Sequence, residues 1–492
     1  MSRRTTQILA GALAVAAVLL AVRGFVGTDA SLDANAHGII NDDRPGINAH
    51  NSPSVAVDPA RPEVMAVADR IDTPNISCSL ALSENGGVNW RGVTIPLPTG
   101  SPNCFWPSVA YAPNGDLILL YSVLDGRYNQ PVSVWLQRFT GPVPMGAPKQ
   151  VAGANSFHAR MAVDENRVVV TWVQAGPATA ERPIGFAPEP NPLVIATSLD
   201  GGRNFTPAVA ISEAGRRVVE PSIVLGPDGL VVVTALDLAD DTLDYNAEHE
   251  GQGGPPADGF WRVLSWTSQD NGTSFTPVAM VAPEVVIPQR IYVDLGAPRP
   301  GLARDPNLGR LYATWESGVG RARDAFLATS DDDGRTWSFP RPVVARPGTQ
   351  TLPTVAVAAD GRVDVAFYDR SGDRTDVNTQ VALASSWDGG ASFTTSIISQ
   401  RRFDSRIGFG SFQGIPVLGT HLAVVAEEDR SVVFWSDTRR GTIDDSIQDL
   451  AVALVDVGAA GRTRWLLVVL ALVLAGGAIA LALRRPPPAR RR

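Results

Sequence analysis

The sequence predicts an all-β fold: a β-propeller of seven four-stranded antiparallel blades, with six blades as the alternative, followed by a C-terminal transmembrane helix. Three observations predict it. A pair of β-rich runs recurs seven times at intervals of 52 to 79 residues, a spacing suited to four-stranded blades. An octapeptide turn pattern, Ser-x-Asp/Asn-x-Gly-x-(Thr/Asn/Ser)-(Trp/Phe), occurs five times. Glycine (46) and proline (38) are abundant and long helical periodicities are few, as short strands joined by many turns require.

In chain order, Met1-Ser2-Arg3-Arg4 precedes an apolar run over residues 8–22, the pattern of a secretory signal, and Thr28-Asp29-Ala30 offers small residues for cleavage. Residues 1–30 are therefore read as a signal peptide or an uncleaved anchor. Residues 31–51 are a polar linker in which Ile39-Ile40 is the one candidate strand.

The predicted propeller spans residues 52–457. Its first runs are PSVAVDP from Pro53, PSVAYAP from Pro107, ARMAVDE from Ala159, PSIVLGP from Pro221, PGLARDP from Pro300, PTVAVAA from Pro353 and, more loosely, QGIPVLG from Gln413. The second runs follow at residues 64–68, 117–121, 168–172, 230–233, 311–315, 363–368 and 431–435. Alternating small and branched apolar residues with aromatic ends suit strands buried between neighbouring sheets. The last unit shows only three strands, and Ile39-Ile40 is expected to supply the fourth, removing an exposed sheet edge.

The span ends at residue 457 and is followed by a juxtamembrane linker, 458–464. Residues 465–483 carry no charge, enough for one bilayer crossing. Residues 484–492 hold five arginines, so the tail is expected in the cytoplasm and the propeller outside, on a single-pass or, with the N-terminal anchor retained, a two-pass protein. Cys78 and Cys104 suit an exported chain and are expected to form a disulfide. The net charge of −8 argues against a nucleic-acid partner, and of the 42 basic residues only Lys149 is lysine.

Each octapeptide has a mechanical reading. The Asp or Asn accepts backbone hydrogen bonds, the glycine takes a positive φ, and the terminal aromatic buries a face against neighbouring strands. The copies comprise Ser83, Asn85, Gly87 and Trp90; Ser198, Asp200, Gly202 and Phe205; Ser268, Asp270, Gly272 and Phe275; Ser330, Asp332, Gly334 and Trp337; and Ser386, Asp388, Gly390 and Phe393. The pattern resembles the Asp-box, or BNR, repeat of the sialidase (neuraminidase) superfamily, with Ser330 to Trp337 matching in full. The resemblance covers roughly residues 50 to 455. It implies a β-propeller with each box between the third and fourth strands of a blade, six blades in the sialidases themselves, and a ligand funnel on the face opposite the boxes.

On that opposite face the second runs end in charged residues. Asp69, Arg70, Asp125, Arg127, Asp437 and Arg439 are ligand-face candidates, Glu316 is followed by Arg321, and Glu220 reaches the same rim from a first run. Such groups either hold an anionic sugar and supply acid–base catalysis or bridge neighbouring blades. The resemblance implies three arginines on a substrate carboxylate, a Tyr nucleophile assisted by Glu, an Asp acid/base and an Arg-Ile-Pro motif. No Arg-Ile-Pro is present, because Arg70-Ile71 runs into Asp72. No residue is assigned a catalytic role, and Tyr368, Asp369, Arg370 and Glu220 are the candidates.

Other chemistries find no support. His37, His50, His158, His249 and His421 lack metal-ligand spacing, and no nucleophile elbow, P-loop or dinucleotide fingerprint is present. No cofactor is expected, although the acidic insertion 237–258, with Asp240, Asp241, Asp244, Glu248 and Glu250, is a conceivable Ca²⁺ loop. The expected function is that of a membrane-anchored extracytoplasmic module binding a glycan or an extracellular protein; the alternative is a glycoside hydrolase of exo-sialidase type.

Overall fold

The computed structural model describes residues 32–41, 49–73, 75–101, 103–124, 131–177, 190–241, 259–286, 297–408, 417–445, 447–458 and 473–475. Residues 34–455 form one unit, and residues 1–33 with 456–492 form a second. The signal segment 1–30 and the span 465–483 lie outside the described residues, apart from a helical turn at 473–475. Among the described residues no helix is long and apolar enough to cross a membrane.

Seven antiparallel sheets form among the described residues, and their order along the chain is that of a seven-bladed propeller. Blade 1 comprises His50–Asp58, Arg61–Ile71, Ser77–Ser83 and Arg91–Gly92. Blade 2 comprises Phe105–Tyr111, Asp116–Leu124, Pro131–Thr140 and Lys149–Ala152. Blade 3 has Ser156–Asp164, Arg167–Gln174, Leu193–Ser198 and Val209–Ala210. Blade 4 has Val218–Leu225, Val231–Asp237, Trp261–Ser268 and Ala279–Val285. Blade 5 has Gly301–Arg304, Leu311–Ser317, Asp324–Ser330 and Arg341–Pro342. Blade 6 has Gln350–Val357, Val363–Asp369, Asn378–Ser386 and Thr394–Ile397. Blade 7 has Ala423–Ala426, Arg430–Asp437, Asp449–Val457 and, from the N-terminal side, Leu32–Ile39.

The first strand of every blade is the innermost, packing beside the first strands of both neighbouring blades, so that blade 7 meets blade 1. The second strands explain why the sheets stand radially. Asp116–Leu124 is buried along its whole length, so both its faces are covered by neighbouring blades. The apolar cores accordingly lie between sheets. Met65 and Val67 of blade 1 pack with Val432, Phe434, Leu450 and Val452 of blade 7. Each such side chain contributes roughly 1.5–3 kcal/mol on burial.

Closure takes the form the sequence predicts: the strand ending at Ile39 lies outermost in blade 7. The Ile40 N–H donates to the Leu450 carbonyl at 2.9 Å, and Asn41 accepts from the Leu450 N–H at 2.8 Å. One expectation is corrected. The innermost strand of blade 7 is Ala423–Ala426 and not the QGIPVLG stretch, whose described residues 417–419 are irregular. A four-residue strand without the Pro-Ser lead found in blades 1, 2 and 4 carries too faint a pattern to be placed by repeat alone. Cys78, on the third strand of blade 1, is joined to Cys104 before blade 2, with Cα atoms 5.6 Å apart.

All five octapeptides follow a third strand and lead to a fourth. In the copy from Ser330, the serine hydroxyl donates to Asp332 at 2.8 Å and accepts from the Gly334 N–H at 2.9 Å. Asp332 also accepts from the Thr336 N–H at 2.9 Å and the Thr336 hydroxyl at 2.6 Å. The glycine is required twice over: Gly334 has φ +82°, and a Cβ there would lie 3.1 Å from Thr267 in blade 4. At Gly390 a Cβ would lie 2.8 Å from Leu327 in blade 5.

Each clasp therefore also docks onto the preceding blade. Thr267 donates to the Asp333 carbonyl at 2.8 Å and Ser265 to the Gly334 carbonyl at 3.0 Å. Thr197 of blade 3 repeats this with Asn271 of blade 4 at 2.7 Å. Trp90 packs edge-on against Phe434 of blade 7, with centroids 5.6 Å apart.

Candidate functional site

With first strands innermost, the clasps lie on one face, and the loops joining second to third strands lie on the other together with the blade-to-blade connections. The candidate site is the mouth of the central channel on that second face. Near this mouth five inner strands share a distortion. The pairing register skips at Asn51/Ser54, Phe105/Ser108, Phe157/Arg160, Val219/Ser222 and Thr351/Thr354. Within each bulge one non-glycine residue takes a positive φ: Ser52 (51°), Trp106 (47°), His158 (52°), Glu220 (50°) and Leu352 (52°). Backbone of this kind is strained and persists only where the surroundings over-determine it.

The bulges bring charged residues of several blades to one place. Arg160 and Arg299 line a channel cavity of about 210 Å³, alongside Pro53, Ser54, Ser222 and Thr354. Arg160 donates to Glu220 at 3.4 Å and to its neighbour Ala159 O at 3.0 Å. His158 Nε2 stands 3.5 Å from Glu220, and the Glu220 N–H donates to His158 Nδ1 at 3.2 Å. From blade 1, Arg70 pairs with Asp72 at 2.9 Å and lies over the Phe105 ring, 5.1 Å from its centroid. Trp106 is edge-on to the His158 ring at 4.7 Å.

The electrostatics show that these groups act on one another. Burial, and then the Arg160 charge, bring Arg299 down to about 9 against the opposing pull of Glu220; the group is still protonated at neutral pH. Arg160 is lowered by burial and by Arg70, with Glu220 opposing. His421, in the approach to blade 7, is pushed well below the usual histidine value by burial and by Arg299, Arg160 and Arg70, and is neutral at physiological pH. Burial raises Asp72, and Arg70 opposes the rise. Three guanidinium groups from separate parts of the ring thus share one mouth. The Arg299 guanidinium has no hydrogen bond or ion pair among the described residues, and its Nε is buried.

Of the sequence candidates, Arg70 and Glu220 come to this mouth. The other described candidates close locally. Asp69 meets His50 Nδ1 at 2.6 Å and also accepts from Ser79. Asp369 pairs with Arg346 and accepts from the Ser371 N–H at 2.8 Å, while Arg370 donates to Thr379 at 2.9 Å. Asp437 pairs with Arg439 and accepts from Trp435 Nε1 at 2.8 Å. Glu316 accepts from the Leu352 N–H at 2.7 Å and faces Arg323 at 3.6 Å.

Tyr368 is fully buried. Its hydroxyl donates to the Ser436 carbonyl at 3.2 Å and accepts from the Ser436 N–H at 2.9 Å, and burial raises its pKa strongly. A hydroxyl so engaged is a packing element between blades 6 and 7, not a nucleophile.

Asp125 and Arg127 lie outside the described residues, as does most of the acidic insertion. Of that insertion, Asp237 pairs with Arg216 at 2.9 Å and Asp241 accepts from Trp261 Nε1 at 2.9 Å. Among the described residues no cluster of His, Cys, Asp and Glu has the makings of a metal site.

Sequence reasoning missed Trp106, His158, Arg160, Arg299 and His421. A signal was available. Ser54, Ser108, Ser222 and Thr354 occupy one register in the inner strands, and there Arg160 replaces the hydroxyl residue. A departure from the repeat marks the asymmetric place in a ring of similar units.

No protein-family model matches the chain, and no curated protein matches it. Solved structures do resemble it. A protein of unknown function from Dyadobacter fermentans is 12% identical, with 87% of this chain and 99% of that one covered at a TM-score of 0.47. A polysaccharide lyase of family PL25, an ulvan lyase, is 10% identical over 84% and 95% at 0.48. A leech intramolecular trans-sialidase is 12% identical over 87% and 71% at 0.42. At these scores no activity is carried over, and the functional reading rests on the channel mouth alone.

Proposed function

We propose that the chain is an extracytoplasmic glycan-binding module, tethered to the membrane through residues 465–483, that holds an acidic sugar at the channel mouth with Arg160 and Arg299, the buried Arg70 adding its positive charge from behind. The single observation carrying this reading is Arg299: a guanidinium beside the like charge of Arg160, lining the cavity and lacking a carboxylate of its own. A bound carboxylate relieves that repulsion and gains charge-assisted, bidentate hydrogen bonds. Behind the cavity, Trp106 packs against His158 and Glu220 accepts from Arg160, holding that guanidinium in place. The octapeptides belong to this reading as Asp-boxes, clasps on the face away from the ligand.

The hydrolase alternative draws on Glu220, a buried carboxylate between His158 and Arg160. Binding is favoured over it because Tyr368 is sequestered, and the other described tyrosines stand elsewhere. Tyr121, for example, donates to the Pro96 carbonyl at 2.8 Å.

The test is calorimetric titration of the full chain with glucuronic acid, N-acetylneuraminic acid and glucose. At least one acidic sugar should bind and glucose should not, and Arg299→Gln should weaken binding by about tenfold or more, as loss of a charge-assisted contact implies. Equal binding of glucose, or an unchanged affinity in the variant, contradicts the proposal.

A further inference from the structure

A second basic cluster lies on the same face as the channel mouth, over blade 6. The loop from Arg370 to Asn378 joins the second and third strands of that blade, and three exposed arginines gather round its tip. Arg321, from the corresponding loop of blade 5, donates to the Asp373 carbonyl. Arg402, from the connection to blade 7, lies so close over Gly372 that a Cβ there would collide with its guanidinium. Arg374 is the third. No carboxylate pairs with Arg321, Arg374 or Arg402 among the described residues.

The neighbouring acids are engaged elsewhere. Asp373 is turned into its own loop, accepting from the N–H groups of Asn378 at 2.7 Å, Val377 at 2.9 Å and Thr375 at 3.2 Å, and from the Thr375 hydroxyl at 2.8 Å. Those bonds, the Asn378 amide first, hold its carboxyl far below the ordinary range. Asp404 is spanned by Arg406 at 2.7 and 3.0 Å. Asp376 acts on the buried Arg370 beneath. In a chain of net charge −8, three outward guanidinium groups around one glycine are a local reversal of sign.

We infer that Arg321, Arg374 and Arg402 form a second anionic subsite, so that the ligand is a polyanionic glycan, carrying carboxylate or sulfate groups along its length, rather than a single terminal acidic sugar. The glycine lets the Arg402 guanidinium approach the backbone of the loop that carries Arg374 and receives Arg321, and guanidinium groups gathered on one loop suit the oxygens of a sulfate or carboxylate. The inference rests on the channel-mouth reading for the choice of a glycan, and the two fail separately.

The test compares wild-type full chain with Arg321→Gln/Arg374→Gln/Arg402→Gln, all exposed positions, using a chondroitin sulfate hexasaccharide and glucuronic acid. The triple variant should bind the hexasaccharide about tenfold more weakly or worse, with a shallower dependence on salt, while its affinity for glucuronic acid is unchanged. Unchanged hexasaccharide affinity overturns the inference, as does equal binding of an oligonucleotide of the same charge. If neither glucuronic acid nor N-acetylneuraminic acid binds the wild type while the triple variant still loses the hexasaccharide, the blade 6 subsite stands and the channel-mouth reading falls.

Discussion

Arg299 and Tyr368 show how far a residue's promise in sequence can differ from its place in the fold. Tyr368 stands beside Asp369 and Arg370, a grouping that suggests chemistry, yet all three are spent on contacts around blade 6. Tyr368→Phe should cost roughly 1 kcal/mol, because it leaves the buried Ser436 N–H without its acceptor, and should leave sugar binding untouched. Thermal melts and titration of the same variant check both parts; lost binding at unchanged stability would return the hydroxyl to the functional site. Arg299 carried no local sign of importance, since it precedes a proline in a turn-rich stretch and its partners Arg160 and Arg70 lie far away in sequence. Convergence across blades is a tertiary fact, and only the substitution of Arg160 into a register of hydroxyl residues hinted at it.

At the level of the element, the clasps were legible because every bond that makes them is local. Serine, Asp or Asn, glycine and the closing aromatic all act within eight residues, so spacing alone states their geometry. What spacing omits is the docking of each clasp on the preceding blade, seen at Thr267 with Asp333 and at Thr197 with Asn271. Asp332→Ala should therefore destabilise the chain by about 1–2 kcal/mol without changing sugar affinity. Melting and titration decide it, and a binding loss at unchanged stability would contradict a far-side position for the clasps.

The clasps also set an acid dependence. Backbone and side-chain donation from Asn204, with the Ser198 hydroxyl, holds Asp200 at about 2, and donation from Ser274 holds Asp270 at about 2, against an ordinary 3.8. Because their folded values are depressed, their stabilisation is complete above the ordinary value and is lost as pH falls from about 4 toward 2. Melts between pH 5 and 2 should show Asp200→Asn/Asp270→Asn losing part of that dependence. Asn85, in the same place in blade 1, shows that an amide accepts the N–H of Asn89 equally well, at 2.9 Å. An acid profile identical to the wild type would contradict the assignment.

Across the whole molecule, the ring was readable from seven recurring strand pairs and from the missing outer strand of the last one. The inner strand of blade 7 was not, because Ala423–Ala426 is short and lacks a Pro-Ser lead. Closure by the strand ending at Ile39 leaves the third strand of blade 7 no open outer edge. Ile40→Pro removes the N–H that meets Leu450, and should lower the melting temperature and promote aggregation through the loosened edge. Light scattering during a thermal ramp reads both; a variant as stable and as monodisperse as the wild type would contradict the closure account.

The ring also explains why function gathers where it does. Seven inner strands meet only at the channel, so side chains from blades 1, 3, 4 and 5 can share a ligand there and nowhere else. The most direct measurement is a crystal structure of the full chain with an acidic sugar bound. The account predicts the carboxylate at the channel mouth, within hydrogen-bonding distance of Arg299 and Arg160, whereas a sugar seated among the clasps on the opposite face would contradict it.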